Sequence, residues 1–270
     1  MLPQFALHRP DTLADALELV DDDHVPYWGG TELLLAMRIG LLRPDALVDL
    51  KRVPELTGVR TQDVDLVVGG GCTHDEIARD TTVMAHAPLL SDAERRVGNV
   101  RVRAQGTIGG NLCFAEPRSD VATVLIALDA SVVLVSARGS RTVTVQDFVA
   151  GPYWTVREPD ELLVQIRVPI PAPNGVYLKF QTAERPTVSI AATRDRPGGF
   201  RFVVGAVAEI PHVTDVADLA DLDPEATAHQ IEPVADLAGS VRYKRHVTAV
   251  HLRRAVNSLE RTQFLRRKQR

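Results

Sequence analysis

Two glycine-rich loops constrain this chain more than any other feature of its sequence. The first is "WGGTELLLAMR", in which Gly29 and Gly30 precede a predicted helix, and the second is "QGTIGGNL", Gln105–Leu112, which contains Gly109 and Gly110. Backbone without side chains can approach another group closely, and its free N–H groups can face an anion. Neither loop has the residues of a P-loop or the spacing of a Rossmann fingerprint. Each loop alone fits a tight turn, and the two together fit the two phosphates of one pyrophosphate.

Between and beyond the loops, the hydrophobic pattern switches repeatedly between the periods of helix and strand, which predicts an α+β protein. Thr12 is expected to cap a first helix, and a helix with one buried face is expected before Asp129, followed by a strand. A cluster of prolines at Pro169–Pro173 predicts a domain boundary. Beyond it, "VYLKFQT", "TVSIAAT" and "FRFVVGAVAEI" read as three strands of an antiparallel meander, and the rest of the chain reads as helical.

Composition excludes several classes of protein. The chain has 270 residues, a formal net charge of -4 and 45% hydrophobic residues, which fits a globular protein without the basic footprint of a nucleic-acid binder. Two cysteines cannot ligate an iron–sulfur cluster or a structural zinc unaided, and no metal site is expected. We expect a cytoplasmic protein without a signal peptide or a membrane span.

An acid follows the second loop at a position that fits a nucleotide. Asp120 lies nine residues beyond Asn111 at the start of a predicted helix. The helix dipole alone would account for a carboxylate there. A carboxylate can also accept hydrogen bonds from a ribose diol, provided that it lies away from the phosphates.

Several segments together resemble one family. They are "GGTELL" followed by "AMR", the run "VRVRAQGTIGGNLCFAEPRSDVATVLIALDA", "VYLKF", "GAVAEIPHV" and "VRYKRHVTAVHLRRAV". The chain resembles, over nearly its whole length, the FAD-binding medium subunit of the molybdenum hydroxylases, the enzymes similar to aerobic carbon monoxide dehydrogenase and xanthine dehydrogenase. The resemblance implies an FAD-binding domain at 1–170, with two α+β subdomains of the vanillyl-alcohol oxidase type at about 1–55 and 56–170. It also implies a C-terminal domain at 171–270 with a three-stranded antiparallel sheet and helices.

The resemblance also implies roles for individual residues. The first loop wraps the FAD pyrophosphate, the second supplies the other half of the cradle, and the remaining positions lie near the ribose or the flavin ring. These cofactor-binding residues are Pro26, Tyr27, Trp28, Gly29, Gly30, Thr31, Glu32, Leu33, Thr107, Gly109, Gly110, Asn111, Cys113, Asp120, Leu163 and Lys179. The FAD is expected to be non-covalent.

The chain departs from the family pattern at two places. Trp28 stands where the family often has a small residue, so we expect the indole to crowd or stack against part of the cofactor. The segment from Phe180 to Ser189 is shorter than usual and lacks an Arg and an Asp that accompany the flavin-facing strand. Glu184 and Arg185 are candidates to replace them.

The function that the resemblance implies is electron transfer within a larger enzyme. Electrons would come from the [2Fe-2S] clusters of a small subunit, after substrate oxidation on a molybdopterin-binding large subunit, and would leave to NAD+, a quinone or O2. The assembly would be a dimer of heterotrimers. Two alternatives stay open: a stand-alone FAD-dependent oxidase or dehydrogenase acting on a small molecule, and a scaffold subunit that has lost FAD.

Overall fold

The protein alternates short helices and strands along most of its length. A computed structural model describes the backbone of residues 2–196 and 198–269, and the side chains of residues 2–194 and 198–261. The strands are β1 (Ala6–His8), β2 (His24–Tyr27), β3 (Ala46–Asp49), β4 (Val59–Gln62), β5 (Asp65–Gly69), β6 (Ser131–Ser136), β7 (Gly139–Thr144), β8 (Val149–Gly151), β9 (Trp154–Thr155), β10 (Leu162–Pro169), β11 (Asn174–Phe180), β12 (Val188–Arg196), β13 (Gly199–Gly205) and β14 (His212–Val216). The helices are α1 (Leu13–Leu19), α2 (Leu33–Arg38), α3 (His74–Arg79), α4 (Thr81–His86), α5 (Pro88–Glu94), α6 (Val100–Gln105), α7 (Ile108–Phe114), α8 (Asp120–Ala127), α9 (Val145–Phe148), α10 (Pro224–Gln230) and α11 (Val241–Gln269).

Within the described residues, these strands form four sheets. The first is parallel, in the order β1-β3-β2, and the second is antiparallel, in the order β4-β5-β10-β6-β7. The third is the antiparallel meander β11-β12-β13-β14, and β8 pairs with β9 in a small ribbon. The meander was expected from the sequence with three strands, and the structure adds β14 at its edge. The α+β class is confirmed.

Local sequence signals explain where several helices begin. The Thr12 hydroxyl accepts a hydrogen bond from the backbone N–H of Asp15, as the predicted cap requires. Helix α3 has a complete capping box between Thr73 and Glu76. Helix α2 starts at Leu33, and its N-cap residue makes no side-chain capping bond.

Helix α8 corrects one expectation about burial. The sequence predicted one buried face, whereas all eight residues of Asp120–Ala127 are buried. The helix packs against α5 on one side and against β12 and β13 of the meander on another. A helix enclosed in this way is buried on every side, so the spacing of its apolar residues does not mark a single buried face.

Buried apolar side chains form three clusters. The largest lies between the five-stranded sheet and helices α3 to α8, and Tyr177 and Ala191 of the meander join it. The second lies between the meander and α11, and the third joins α1 and β3 to Leu162 and Val164 of β10. The largest cluster crosses the boundary expected near residue 170, and the third crosses the one expected near residue 55, so the domain bounds stay a prediction. No helix among the described residues is both long enough and apolar enough to cross a membrane.

Candidate functional site

The two glycine loops, far apart in sequence, touch each other in the structure. A Cβ atom added to Gly29 would lie 1.9 Å from the carbonyl oxygen of Gln105 and 3.1 Å from the Cα of Gly106. No side chain can be accommodated at that distance, so Gly29 is required for the two backbones to meet. The two loops therefore lie directly against each other in the folded chain.

A third glycine cluster, Gly69–Gly71 at the end of β5, supports the second loop. The N–H of Gly109 donates to the carbonyl of Gly70 at 2.9 Å, and a Cβ at Gly109 would lie 2.6 Å from that same oxygen. Gly109 is therefore needed for close packing of backbone against backbone, and it is buried. A Cβ at Gly70 would in turn meet the carbonyl of Leu163 at 2.4 Å, which places Leu163 of β10 directly behind the cluster.

Gly110 differs from Gly109 because its Cα faces open space. Apart from its chain neighbours and the backbone of its own helix, the only atom of the described residues within 4 Å of a Cβ added there is the hydroxyl oxygen of Thr107, at 2.9 Å. Gly110 is exposed. Thr107 caps helix α7 by accepting a hydrogen bond from the N–H of Gly110 at 3.1 Å. The loop thus presents bare backbone to an open side, which fits the close approach of a phosphate-bearing group.

The first loop is half-buried from Pro26 to Leu33, including Thr31. Pro26 and Tyr27 lie in the edge strand β2, where a proline without an N–H is tolerated. The ammonium of Lys51 lies 3.9 Å from the centre of the Tyr27 ring. Gly30 has a φ of +67°, a backbone conformation that glycine adopts without strain.

Trp28 packs on the glycine cluster. A Cβ at Gly71 would lie 2.4 Å from the Cη2 atom of the Trp28 indole, so the ring occupies the space that a side chain would take. Trp28 also packs against the N-terminal apolar cluster. The indole therefore links the first loop to the third glycine cluster.

Asp120 and Lys179 are partners of each other. The ammonium of Lys179 lies 2.9 Å from Oδ2 of Asp120 and donates to the carbonyl of Arg96 at 2.6 Å. The hydroxyl of Tyr177 donates to Oδ1 of the same carboxylate. Burial and the neighbouring Asp120 charge raise the pKa of Tyr177 well above its usual value, so this phenol stays protonated as a donor. The sequence predicted Asp120 and Lys179 as site residues without showing that they pair, and Tyr177 was not predicted.

Two further predicted residues lie on α7. The side-chain oxygen of Asn111 accepts a hydrogen bond from the hydroxyl of Ser119 at 2.6 Å, which ties α7 to the cap of α8. Cys113 is partly buried against the main core, and desolvation raises the pKa of its thiol. Cys113 and Cys72 are both free thiols.

An ion-pair network closes one side of the first loop. The guanidinium of Arg185 lies 2.7 Å from a carboxylate oxygen of Glu32 and 3.4 Å from one of Glu116. Glu116 also accepts from the hydroxyl of Tyr153 at 2.9 Å and pairs with Arg118 at 3.2 Å. These carboxylates outweigh desolvation and raise the pKa of Arg185. Arg185 was a candidate from the sequence, whereas Glu116 was missed because nothing in its local sequence distinguishes it.

No group of three or more His, Cys, Asp or Glu side chains in the described part of the chain is arranged to hold a metal ion.

Backbone loops joined in this way on an α+β scaffold are suited to hold a phosphate-bearing cofactor. Residues 3–171 match the family model described as the FAD binding domain in molybdopterin dehydrogenase. The chain therefore belongs to this family, the FAD-binding subunits of the molybdenum hydroxylases. Its cofactor is FAD, and it is a subunit of an FAD-dependent oxidoreductase.

Individual relatives match along nearly their whole length. The chain is 29% identical to the carbon monoxide dehydrogenase medium chain of Afipia carboxidovorans, over 95% of this chain and 97% of that protein. It is 30% identical to the glyceraldehyde dehydrogenase medium chain of Sulfolobus acidocaldarius, over 92% and 95% respectively. The crystal structure of quinoline 2-oxidoreductase from Pseudomonas putida 86 contains a chain with a TM-score of 0.87 and 28% identity, over 96% of this chain and 97% of that chain.

Proposed function

We propose that this chain is the electron-transfer subunit of a molybdenum hydroxylase, receiving electrons from the [2Fe-2S] clusters of a partner and delivering them to an external acceptor. The observation that carries the proposal is the contact between Gly29 and the Gln105–Gly106 backbone, beside the open face of Gly110. A split cradle of this kind binds a pyrophosphate through N–H donors without a bulky cation.

The residues proposed to hold FAD divide by chemistry. Backbone from Pro26 to Leu33 and from Thr107 to Asn111 would bind the pyrophosphate. Leu163 and Cys113 would supply apolar surface to the ring, since both pack with the main core. When bound, FAD supplies a group that can accept or give electrons singly or in pairs, which suits a component between one-electron and two-electron partners.

Asp120 and Lys179 have a defined part in this proposal. Their 2.9 Å ion pair is nearly buried, with side-chain exposures of 6% and 10%. Tyr177 and the carbonyl of Arg96 hold the two charges in fixed positions. We assign Asp120 to the ribose hydroxyls and Lys179 to the flavin, with the pair keeping both groups oriented before the cofactor arrives.

The partners are proposed by analogy with the relatives. Proteins named as medium chains match this chain along nearly their whole length. We propose an iron–sulfur small subunit and a molybdopterin large subunit as partners, in a cytoplasmic dimer of heterotrimers. Two free cysteines support this division of cofactors, because an iron–sulfur cluster needs more thiolates than the chain has.

FAD titration of the purified apoprotein tests the cofactor site. The flavin fluorescence of added FAD should change to saturation at one FAD per chain, and the bound flavin should then be reducible by the reduced iron–sulfur partner. A chain that binds no FAD would instead be a scaffold. A chain that holds FAD and oxidises a small molecule unaided would be a stand-alone oxidase or dehydrogenase.

A further inference from the structure

A buried histidine and a buried glutamate lie outside all of the positions assigned so far. Nδ1 of His74, at the start of α3, is 2.6 Å from Oε2 of Glu94 in α5, and their side chains are 2% and 0% exposed. The second oxygen, Oε1 of Glu94, has no hydrogen-bond partner among the described residues. The hydrogen bond to His74 is thus what compensates the burial of this carboxyl group.

The pair lies directly behind the junction of the two glycine loops. The backbone N–H of His74 donates to the carbonyl of Gly106 at 3.1 Å, and Thr73 forms a β-bridge with Thr107. A Cβ added to Gly106 would lie 3.2 Å from Cδ2 and 3.3 Å from Nε2 of the His74 ring. Gly106 is therefore enclosed between this ring on one side and Gly29 on the other.

The orientation of the ring determines what faces the loop. Glu94 bonds Nδ1, so the opposite edge, which carries Nε2 and Cδ2, faces Gly106. A neutral pair has two forms, an imidazolium with a carboxylate or an imidazole with a carboxylic acid, and both place the N–H on Nε2. In the described residues, Nε2 makes no hydrogen bond of its own.

We propose that His74, fixed by Glu94, is a further anion-binding element of the FAD site, presenting Nε2–H and the positive end of the pair to the Gly106–Gly110 backbone. This inference rests on the proposed FAD function. The His74–Glu94 pair adds positive electrostatic potential behind a loop whose own hydrogen-bond donors are backbone N–H groups. A more positive potential at a bound pyrophosphate favours binding in the same way as a helix N-terminus does.

The test replaces the pair by apolar side chains of similar shape. In the double variant His74→Phe/Glu94→Met, the ring that packs on Gly106 is kept and both polar groups are removed. Replacement of a buried ion pair by packed apolar residues is often neutral or stabilising, so the melting temperature of the apoprotein should stay the same or rise. Affinity for FAD should fall roughly tenfold, equivalent to about 1.4 kcal/mol.

A second ligand separates an effect on the phosphates from general loosening of the site. ADP carries the pyrophosphate without the flavin, so its affinity, measured by competition with FAD, should fall by the same factor. A second apolar pair, His74→Leu/Glu94→Leu, also removes both polar groups and should weaken both ligands in the same direction. It decides the matter if the first double variant does not fold.

Asp215→Asn provides the matched control, because it removes one charge of the Arg201 ion pair between β13 and β14. It should leave both affinities unchanged. Wild-type affinity for FAD and ADP in either double variant that folds would overturn the inference while leaving the FAD function intact. Failure of the wild-type protein to bind FAD would instead refute the proposed function itself.

Discussion

Neighbouring glycines of the second loop should respond oppositely to substitution. Gly110→Val adds a side chain on the open face of the loop, where a single hydroxyl lies within 4 Å of the new Cβ. Weakening of the Thr107 cap should lower the free energy of unfolding by on the order of 1 kcal/mol. Replacing a glycine within a helix should restore roughly a few tenths of a kcal/mol. The free energy of unfolding should therefore change by no more than about 1 kcal/mol, or roughly 4 °C in melting temperature.

The same substitution should abolish FAD retention. Displacing the pyrophosphate from two backbone donors removes charged hydrogen bonds of about 1.5 kcal/mol each or more, which corresponds to a loss of at least about 100-fold in affinity. The assay is fluorescence titration of apoprotein with FAD, together with calorimetry of the apoprotein. Full FAD occupancy in a folded Gly110→Val protein would refute the placement of the pyrophosphate at this loop.

Gly109→Ala is the matched comparison. Its Cβ would lie 2.6 Å from the Gly70 carbonyl oxygen, a backbone atom that cannot turn aside. Overpacking of this kind costs about 1–3 kcal/mol, so the melting temperature of the apoprotein should fall by roughly 2–12 °C. A Gly109→Ala protein as stable as the wild type would show that the two glycine clusters are not packed as described.

Three further tests address the two ion pairs and a buried thiol. Asp120→Ala should weaken FAD binding by about 1–3 kcal/mol and lower the free energy of unfolding by about 3–5 kcal/mol. Much of that stability should be regained in Asp120→Ala/Lys179→Met. A double-mutant cycle measured by chemical denaturation that shows no coupling between the two residues would contradict the buried pair. The stability effects of Arg185→Met and Glu32→Gln should show a coupling energy of only about 0.5–1 kcal/mol, since this ion pair is about one-third exposed. A double-mutant cycle measured by chemical denaturation gives this energy, and strictly additive effects would refute the pairing. Burial raises the pKa of the Cys72 thiol from 9.0 to about 11, so its contribution to the free energy of unfolding should be complete below pH 9 and should fall as the pH rises towards 11. Chemical denaturation at a series of pH values should show a smaller fall in Cys72→Ala than in the wild type. An equal fall would refute the raised pKa.

The glycine loops could be predicted as parts of a candidate site because they carry a local signal in the sequence. Glycine pairs before helices and the acid at Asp120 are visible locally, whereas the contact that makes Gly29 indispensable depends on a backbone about 76 residues away. Asp120 and Lys179 lie on different elements, so their pairing is a tertiary fact. Glu116 gave no local signal because its partners Tyr153 and Arg185 lie far from it in the sequence.

The fold was predicted less completely at its edges and in its interior. Strand β14 was missed because "HVTDV" is short and three of its five residues are polar, which an edge strand tolerates. Helix α8 was assigned one buried face because amphipathic spacing was sought in a segment that packing encloses on all sides. The burial of His74 against Glu94 depends on the packing of two helices, which no local sequence pattern reveals.

Co-purification of the native protein with its partners measures whether this chain carries FAD for a larger molybdenum enzyme. The native protein, isolated with its partners, should contain one FAD per copy of this chain together with iron and molybdenum on the other subunits. Unfolding this subunit should release free FAD, with neither metal bound to it. A purified native protein that consists of this chain alone, or a complex in which the chain carries no flavin, would contradict the account.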